Sequence, residues 1–193
     1  MLETVIEPMN FEEAVMPHLD AAYNLARWLM RNEHDAQDMV QEAYLRAFRF
    51  FGGFHGTDAR AWLLTIVRNT CYTWLKRKHA PEFACDFEDA VMTKESDEPD
   101  PESSHEMKVQ AQLINEAIEK LPVEFREVVI LRELEELSYK EIAAITGIPI
   151  GTVMSRLSRA RKRLLAYLRS TTRVDLRGTN VVQVPATGNN RVA

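Results

Sequence analysis

SYKEIAAITGIPIGTVMSRLSRARKRLLAYL, residues Ser138–Leu168, is the stretch whose pattern decides the fold of this chain. It reads as two short helices joined at Gly147-Ile148-Pro149. Ser138 and Glu141 form the S-x-x-E pattern of a capping box, in which side chains satisfy the first backbone N–H groups of a helix. Gly147 stands where helices end in a left-handed residue, and Pro149 forbids simple continuation. Beyond the turn, Val153, Leu157, Ala160, Leu164 and Leu168 fall on one stripe at helical spacing. Thr152, Ser155, Arg156, Arg159 and Arg163 fall on a different face of the same helix. The pattern predicts a helix-turn-helix whose second helix packs by one face and offers Arg, Ser and Thr to a DNA major groove.

The chain has 193 residues, enough for one ordinary domain or two small ones. Hydrophobic residues make up 46% and charged residues 27%, the balance of a globular protein. Gly at 7 and Pro at 8 are few, and long β-branched alternating runs are missing, so an all-α fold is expected. No 18-residue apolar stretch is present, and the acidic start MLETVIEPMNFEE lacks the pattern of a signal peptide. A cytoplasmic protein without membrane insertion is expected. The two cysteines, Cys71 and Cys85, suit a reducing compartment, and Cys71 reads as a small buried apolar residue. The five histidines are scattered, so no metal site, catalytic site, cofactor or small-molecule substrate is expected.

Net charge is −5, but it is segregated. Residues 82–106 hold ten acids against Lys94, a charge of −9, which leaves +4 for the remainder. From Thr152 to Arg173 there are seven Lys or Arg and no acid. Such separation bears on partners more than the total does.

Along the chain, residues 1–10 form an N-terminal extension and 11–80 a helical domain. Its clearest helix covers 35–51, with Ala36, Met39, Val40, Ala43, Tyr44, Ala47, Phe48 and Phe51 on an apolar stripe and Asp35 as N-cap. Gly52–Gly56 breaks it, and Thr57 or Asp58 caps the next helix, which ends in Lys76-Arg77-Lys78. Residues 81–106 read as an acidic linker. A second helical domain over 107–172 holds helices at 109–121 and 124–135, then the helix-turn-helix. The tail 173–193 has no helical period.

Two small helical domains joined by a flexible acidic linker, the second ending in a helix-turn-helix, resemble a bacterial extracytoplasmic-function (ECF) sigma factor. The resemblance is carried by Asp35–Glu42, Arg60–Thr70, Leu121-Pro122 and Gly151–Arg156, in that order. It implies a non-catalytic subunit that binds core RNA polymerase, recognises −35 and −10 promoter elements and helps open the promoter, with an anti-sigma factor as a further partner. Asp38, Gln41, Glu42 and Arg49 would then face the polymerase core. The helix after the glycine-rich loop would read the melted −10 element: Arg60, Arg68, Asn69, Lys76 and Arg77 for backbone and base edges, Phe54 or His55 as a wall for a flipped base, and Trp62 either there or in the core. Arg156 and Arg159 would read guanine edges of the −35 duplex, Thr152 and Ser155 bases or phosphates, and Arg161, Lys162 and Arg163 the phosphate backbone. An ordinary helix-turn-helix repressor would explain the second domain but leave 11–79 unexplained.

Overall fold

The computed structural model describes residues 10–56, 58–78 and 105–175. The acidic segment 81–104, Thr57, Cys85, residues 1–9 and the tail beyond 175 lie outside the described residues. Within them the chain is helical and no strand is present. Phe11–Val15 (α1), Leu19–Met30 (α2), Glu33–Phe50 (α3) and Ala59–Lys78 (α4) form the N-terminal group. His105–Glu119 (α5), Val123–Val129 (α6), Tyr139–Thr146 (α7) and Ile150–Asp175 (α8) form the C-terminal group.

Local chemistry sets the boundaries. Asn32, not Asp35, is the N-cap of α3: its Oδ1 accepts from the Asp35 N–H at 3.1 Å, so the helix starts earlier than its apolar period suggests. Asp58 Oδ1 accepts from the Ala61 N–H at 2.9 Å and begins α4. The capping box forms in full, with Ser138 Oγ accepting from Glu141 N–H at 3.2 Å and Glu141 Oε2 from Ser138 N–H at 2.7 Å. Those bonds hold the Glu141 carboxyl below its ordinary range. Gly147 closes α7 at φ 68°, a left-handed conformation that a Cβ would strain. The expected helix at 124–135 divides into α6 and a π-helical segment, Ile130–Leu134, where Glu135 N–H reaches back to the Ile130 carbonyl. The wider turn re-aims the side chains that follow it.

The two groups also pack on each other. α6 lies against α2, and α7 against α4. One apolar cluster runs through both, with Leu25, Leu63, Leu64 and Val67 on one side and Val128, Ile130, Leu131 and Ile142 on the other. Cys71 is buried in it, and burial pushes its thiol up to about 12, keeping it protonated.

Candidate nucleic-acid interface

Helix α8 packs as its spacing requires: Val153, Leu157 and Ala160 are buried, and Leu164 and Leu168 half-buried. Ser155, Arg159 and Lys162 are exposed on the outward side, with Thr152 half-buried at the N-terminal end. Three further cations, Arg156, Arg161 and Arg163, face groups of the protein itself. Arg161 donates to Glu133 at 2.7 Å, a bond that raises its pKa. Arg163 lies over the Phe125 ring at 5.1 Å. Arg156, placed by sequence among the base readers, is half-buried and close enough to Glu127 to act on its charge.

Glycine freedom shapes the loop before α4. A Cβ on Gly56 would come within 2.8 Å of the Phe54 ring, so glycine there lets the ring fold back on the loop. Phe54 stacks on Phe51 at 6.1 Å and meets Trp62 at 4.7 Å. Phe51 in turn meets Phe11 edge-on at 5.2 Å, so the aromatic row extends from α1 to α4. Trp62 is therefore half-buried in ring contacts, while His55, Asn69, Lys76 and Arg77 are exposed. Trp74 lies under the Lys78 ammonium at 4.2 Å, and Lys78 also pairs with Asp35 at 3.2 Å.

Arg60 and Arg68 are not on an open surface. Arg68 Nε donates to Glu127 Oε1 at 2.5 Å, and Tyr72 Oη donates to Glu127 Oε2 at 3.1 Å. Arg60 donates to Glu135 Oε2 at 2.6 Å and to its backbone carbonyl at 3.0 Å, while Asn24 Nδ2 donates to Glu135 Oε1 at 3.3 Å. Glu127 is 0% and Glu135 5% exposed. Two carboxylates from the C-terminal group thus occupy the Arg60 and Arg68 guanidinium groups of α4. Burial raises the Glu127 carboxyl above its ordinary range, and Arg68 opposes the shift without cancelling it.

Two further arginines join the helix groups through backbone carbonyls. Arg126, buried, donates to Trp28 O in the last turn of α2 at 2.6 Å and to Leu121 O at 2.8 Å. Burial, with Arg31 beside it, lowers its pKa to about 9, and its Nε has no hydrogen-bond partner. Arg31 crosses the other way, donating to the Glu119 and Leu121 carbonyls. These groups satisfy carbonyls that helix ends leave open. Sequence reasoning missed Arg126, Glu127 and Glu135. The signal was present, since Arg126-Glu127 stands next to the unbroken apolar run Val128–Leu131, and charges inside such a run must be paired to be buried.

On α3, Asp38, Gln41 and Arg49 are exposed, and Glu42 pairs with Arg46 at 2.7 Å. Leu45, Phe48 and Phe50 are also exposed on this helix, including Phe48, which the period assigned to the buried stripe. Phe48 touches only the edge of the core, through Phe11 at 5.2 Å. Among the described residues, no cluster of His, Cys, Asp and Glu could hold a metal ion, and no helix is long and apolar enough to cross a membrane.

The Sigma-70 region 2 family matches residues 14–80, and the Sigma-70, region 4 family matches residues 111–164. The chain is 36% identical over 160 residues to the ECF RNA polymerase sigma factor SigE of Mycolicibacterium smegmatis, covering 82% of this chain and 62% of that protein. It therefore spans somewhat less than two thirds of that relative's length. It is 38% identical over 140 residues to the ECF RNA polymerase sigma-E factor of Escherichia coli, covering 67% of this chain and 72% of that one. Among solved structures, it resembles the sigma factor RpoE of Bartonella quintana in complex with the anti-sigma factor NepR. That match has a TM-score of 0.65 and 29% identity, over 82% of this chain and 96% of that one. The fold is also that of CnrH in complex with the cytosolic domain of CnrY, at a TM-score of 0.57 and 24% identity over 83% and 88% of the two chains.

Proposed function

This chain belongs to the ECF sigma factor family, and from that premise we propose that it binds core RNA polymerase, recognises −35 and −10 promoter elements and promotes promoter opening. It contributes specificity and no covalent chemistry, and it acts in the cytoplasm, where the polymerase is. The observation that carries the reading is the presence, in order and in one chain, of both matched regions, the second ending in a helix-turn-helix whose first helix is capped at both ends and whose second has Ser155, Arg159 and Lys162 outward. A repressor needs only the second.

In this reading the exposed mixture on α3, with Asp38, Gln41 and Arg49 among Leu45, Phe48 and Phe50, docks on the polymerase core. A surface that is part charged and part aromatic suits a protein partner. Asn69, Lys76, Arg77 and His55 are open to the melted −10 strand as they stand, and Phe54 and Trp62 wall the loop beside them. Arg60 and Arg68 join them only when α4 parts from Glu127 and Glu135. Binding of the free chain to promoter DNA is accordingly weak, and the polymerase holds the two helix groups apart. An anti-sigma factor, like the one seated on the Bartonella quintana relative, keeps them together or covers them.

The test is run-off transcription with purified core polymerase, with and without this protein, on the DNA upstream of its own gene. A new transcript from a defined start establishes the function. Failure to bind core at all refutes it and returns the repressor.

A further inference from the structure

Helix α8 presents fewer free charges to a groove than its sequence suggests, because Arg161 and Arg163 are turned to Glu133 and Phe125 and Arg156 is half-buried. Among the described residues, the open face of its first turns comprises Met154, Ser155, Ser158, Arg159 and Lys162. Ser155 donates its hydroxyl to the Thr152 carbonyl at 3.0 Å, which leaves it an acceptor at most. Two large apolar side chains are left bare at this end: Met154 is 52% exposed and Ile150, one turn earlier, 46%. The core stripe does not explain Met154, which is rotated roughly 100° from the buried Val153. Its charged surroundings do not call for it either, since no acid occurs from Thr152 to Arg173.

The apolar feature that base edges offer in a major groove is the C5 methyl of thymine. An unbranched, polarizable thioether on an open helix face is suited to pack on it. We infer that Met154, backed by Ile150, reads a thymine methyl in the −35 duplex and is a specificity-determining residue; this rests on the −35 role given to α8 above. The register follows from helix geometry. Arg159 lies five residues further along, about 7.5 Å on the axis at 1.5 Å per residue. That is about two base-pair steps at 3.4 Å. The two side chains leave the helix about 140° apart, on opposite flanks of the open face, so with the helix axis along the groove the thymine sits about two pairs from the guanine that Arg159 contacts. One methyl removed from water is worth about fourfold in initiation, the equivalent of about 0.8 kcal/mol.

The test uses holoenzyme made from core polymerase and the full chain, on the promoter found by the run-off experiment. Each −35 thymine is replaced in turn by deoxyuridine, which deletes the methyl and leaves the pairing intact. One replacement is expected to lower initiation about fourfold with the wild type and to have no effect with Met154→Ala. Met154→Leu, which keeps an apolar side chain of similar volume, should keep the uracil sensitivity. 7-Deazaguanine substitution should place the Arg159 contact about two pairs away. Uniform indifference to uracil, an unchanged loss in Met154→Ala, or a −35 element with no thymine at that spacing would each overturn the inference. Scrambling the whole −35 element separates it from the reading beneath. Indifference to scrambling removes the −35 role of α8 altogether, whereas sensitivity to scrambling without sensitivity to uracil removes only the methyl contact.

Discussion

Glu127→Ala tests whether the two helix groups are held together by their buried charges. The substitution removes a carboxylate that accepts from Arg68 at 2.5 Å and from Tyr72 at 3.1 Å. It also strands the Arg68 guanidinium, whose side chain is 18% exposed. Removing one member of a buried pair costs about 3–5 kcal/mol, because the other charge is left without compensation. Arg68 keeps some access to water, so the lower end, about 3 kcal/mol, applies. At 1.4 kcal/mol per tenfold, the ratio of parted to closed molecules rises about a hundredfold. Urea unfolding at neutral pH measures the free energy, and small-angle X-ray scattering measures the spread of the two groups while far-UV circular dichroism follows helix content. The expected result is an unchanged helix content, a lower midpoint and a larger radius of gyration. Glu127→Gln, which keeps the shape and can still accept from Tyr72, should fall between. If Glu127→Ala stays within about 0.5 kcal/mol of the wild type and equally compact, the reasoning is wrong and the apolar contacts alone hold the groups together.

Glu127 adds more to the stability of the folded chain as a protonated acid than as a carboxylate. The folded Glu127 carboxyl titrates above its unfolded value, so the folded state binds the proton more tightly. Its contribution is fully present below the ordinary carboxylate range and is lost as pH rises through the raised folded value. The unfolding free energy of the wild type minus that of Glu127→Gln should therefore grow as pH falls from about 7 to about 4, and a flat difference would contradict the assignment. Ser138→Ala deletes one half of the capping box and should cost about 1 kcal/mol, read as a fall of roughly 2–4 °C in melting temperature. Leu157→Ala hollows the packed face of α8, where the side chain is 1% exposed. A loss of about 2–5 kcal/mol in denaturant unfolding is expected.

Short-range signals were the ones the sequence displayed openly. Ser138, Glu141 and Gly147 act on neighbours within a few residues, and each does in the structure what its chemistry implies. The break at Gly52–Gly56 and the apolar faces of α3 and α8 belong to the same class. Asp35 misled because two polar candidates within one turn compete for one cap, and Asn32, three residues earlier, takes it. Phe48 misled because periodicity assigns a side chain to a face without saying how far the core extends along the helix. The joining of the two groups was not legible for a deeper reason. Arg68 and Glu127 are 59 positions apart, and Arg126 binds the carbonyl of Trp28, a backbone atom that every residue carries. A side chain whose partner is backbone leaves no complementary letter elsewhere in the chain. The π segment that directs Glu135 toward Arg60 likewise has no composition of its own.

The position of Glu127 has a consequence for how two distant DNA elements are sensed. Its carboxylate holds Arg68 and Tyr72 of α4, while α6, which carries it, packs against α8, so one buried group ties the two DNA-facing helices of the proposed reading together. Parting α4 from α6 is a single event that frees Arg68 for one element and lets α8 follow its own group to the other, so the work of separation is done once for two contacts. The second element then binds a molecule already opened by the first, which is positive cooperativity between the elements. A promoter with one strong and one degraded element would accordingly lose more than the degraded contact itself, because the surviving contact must carry the whole cost of opening.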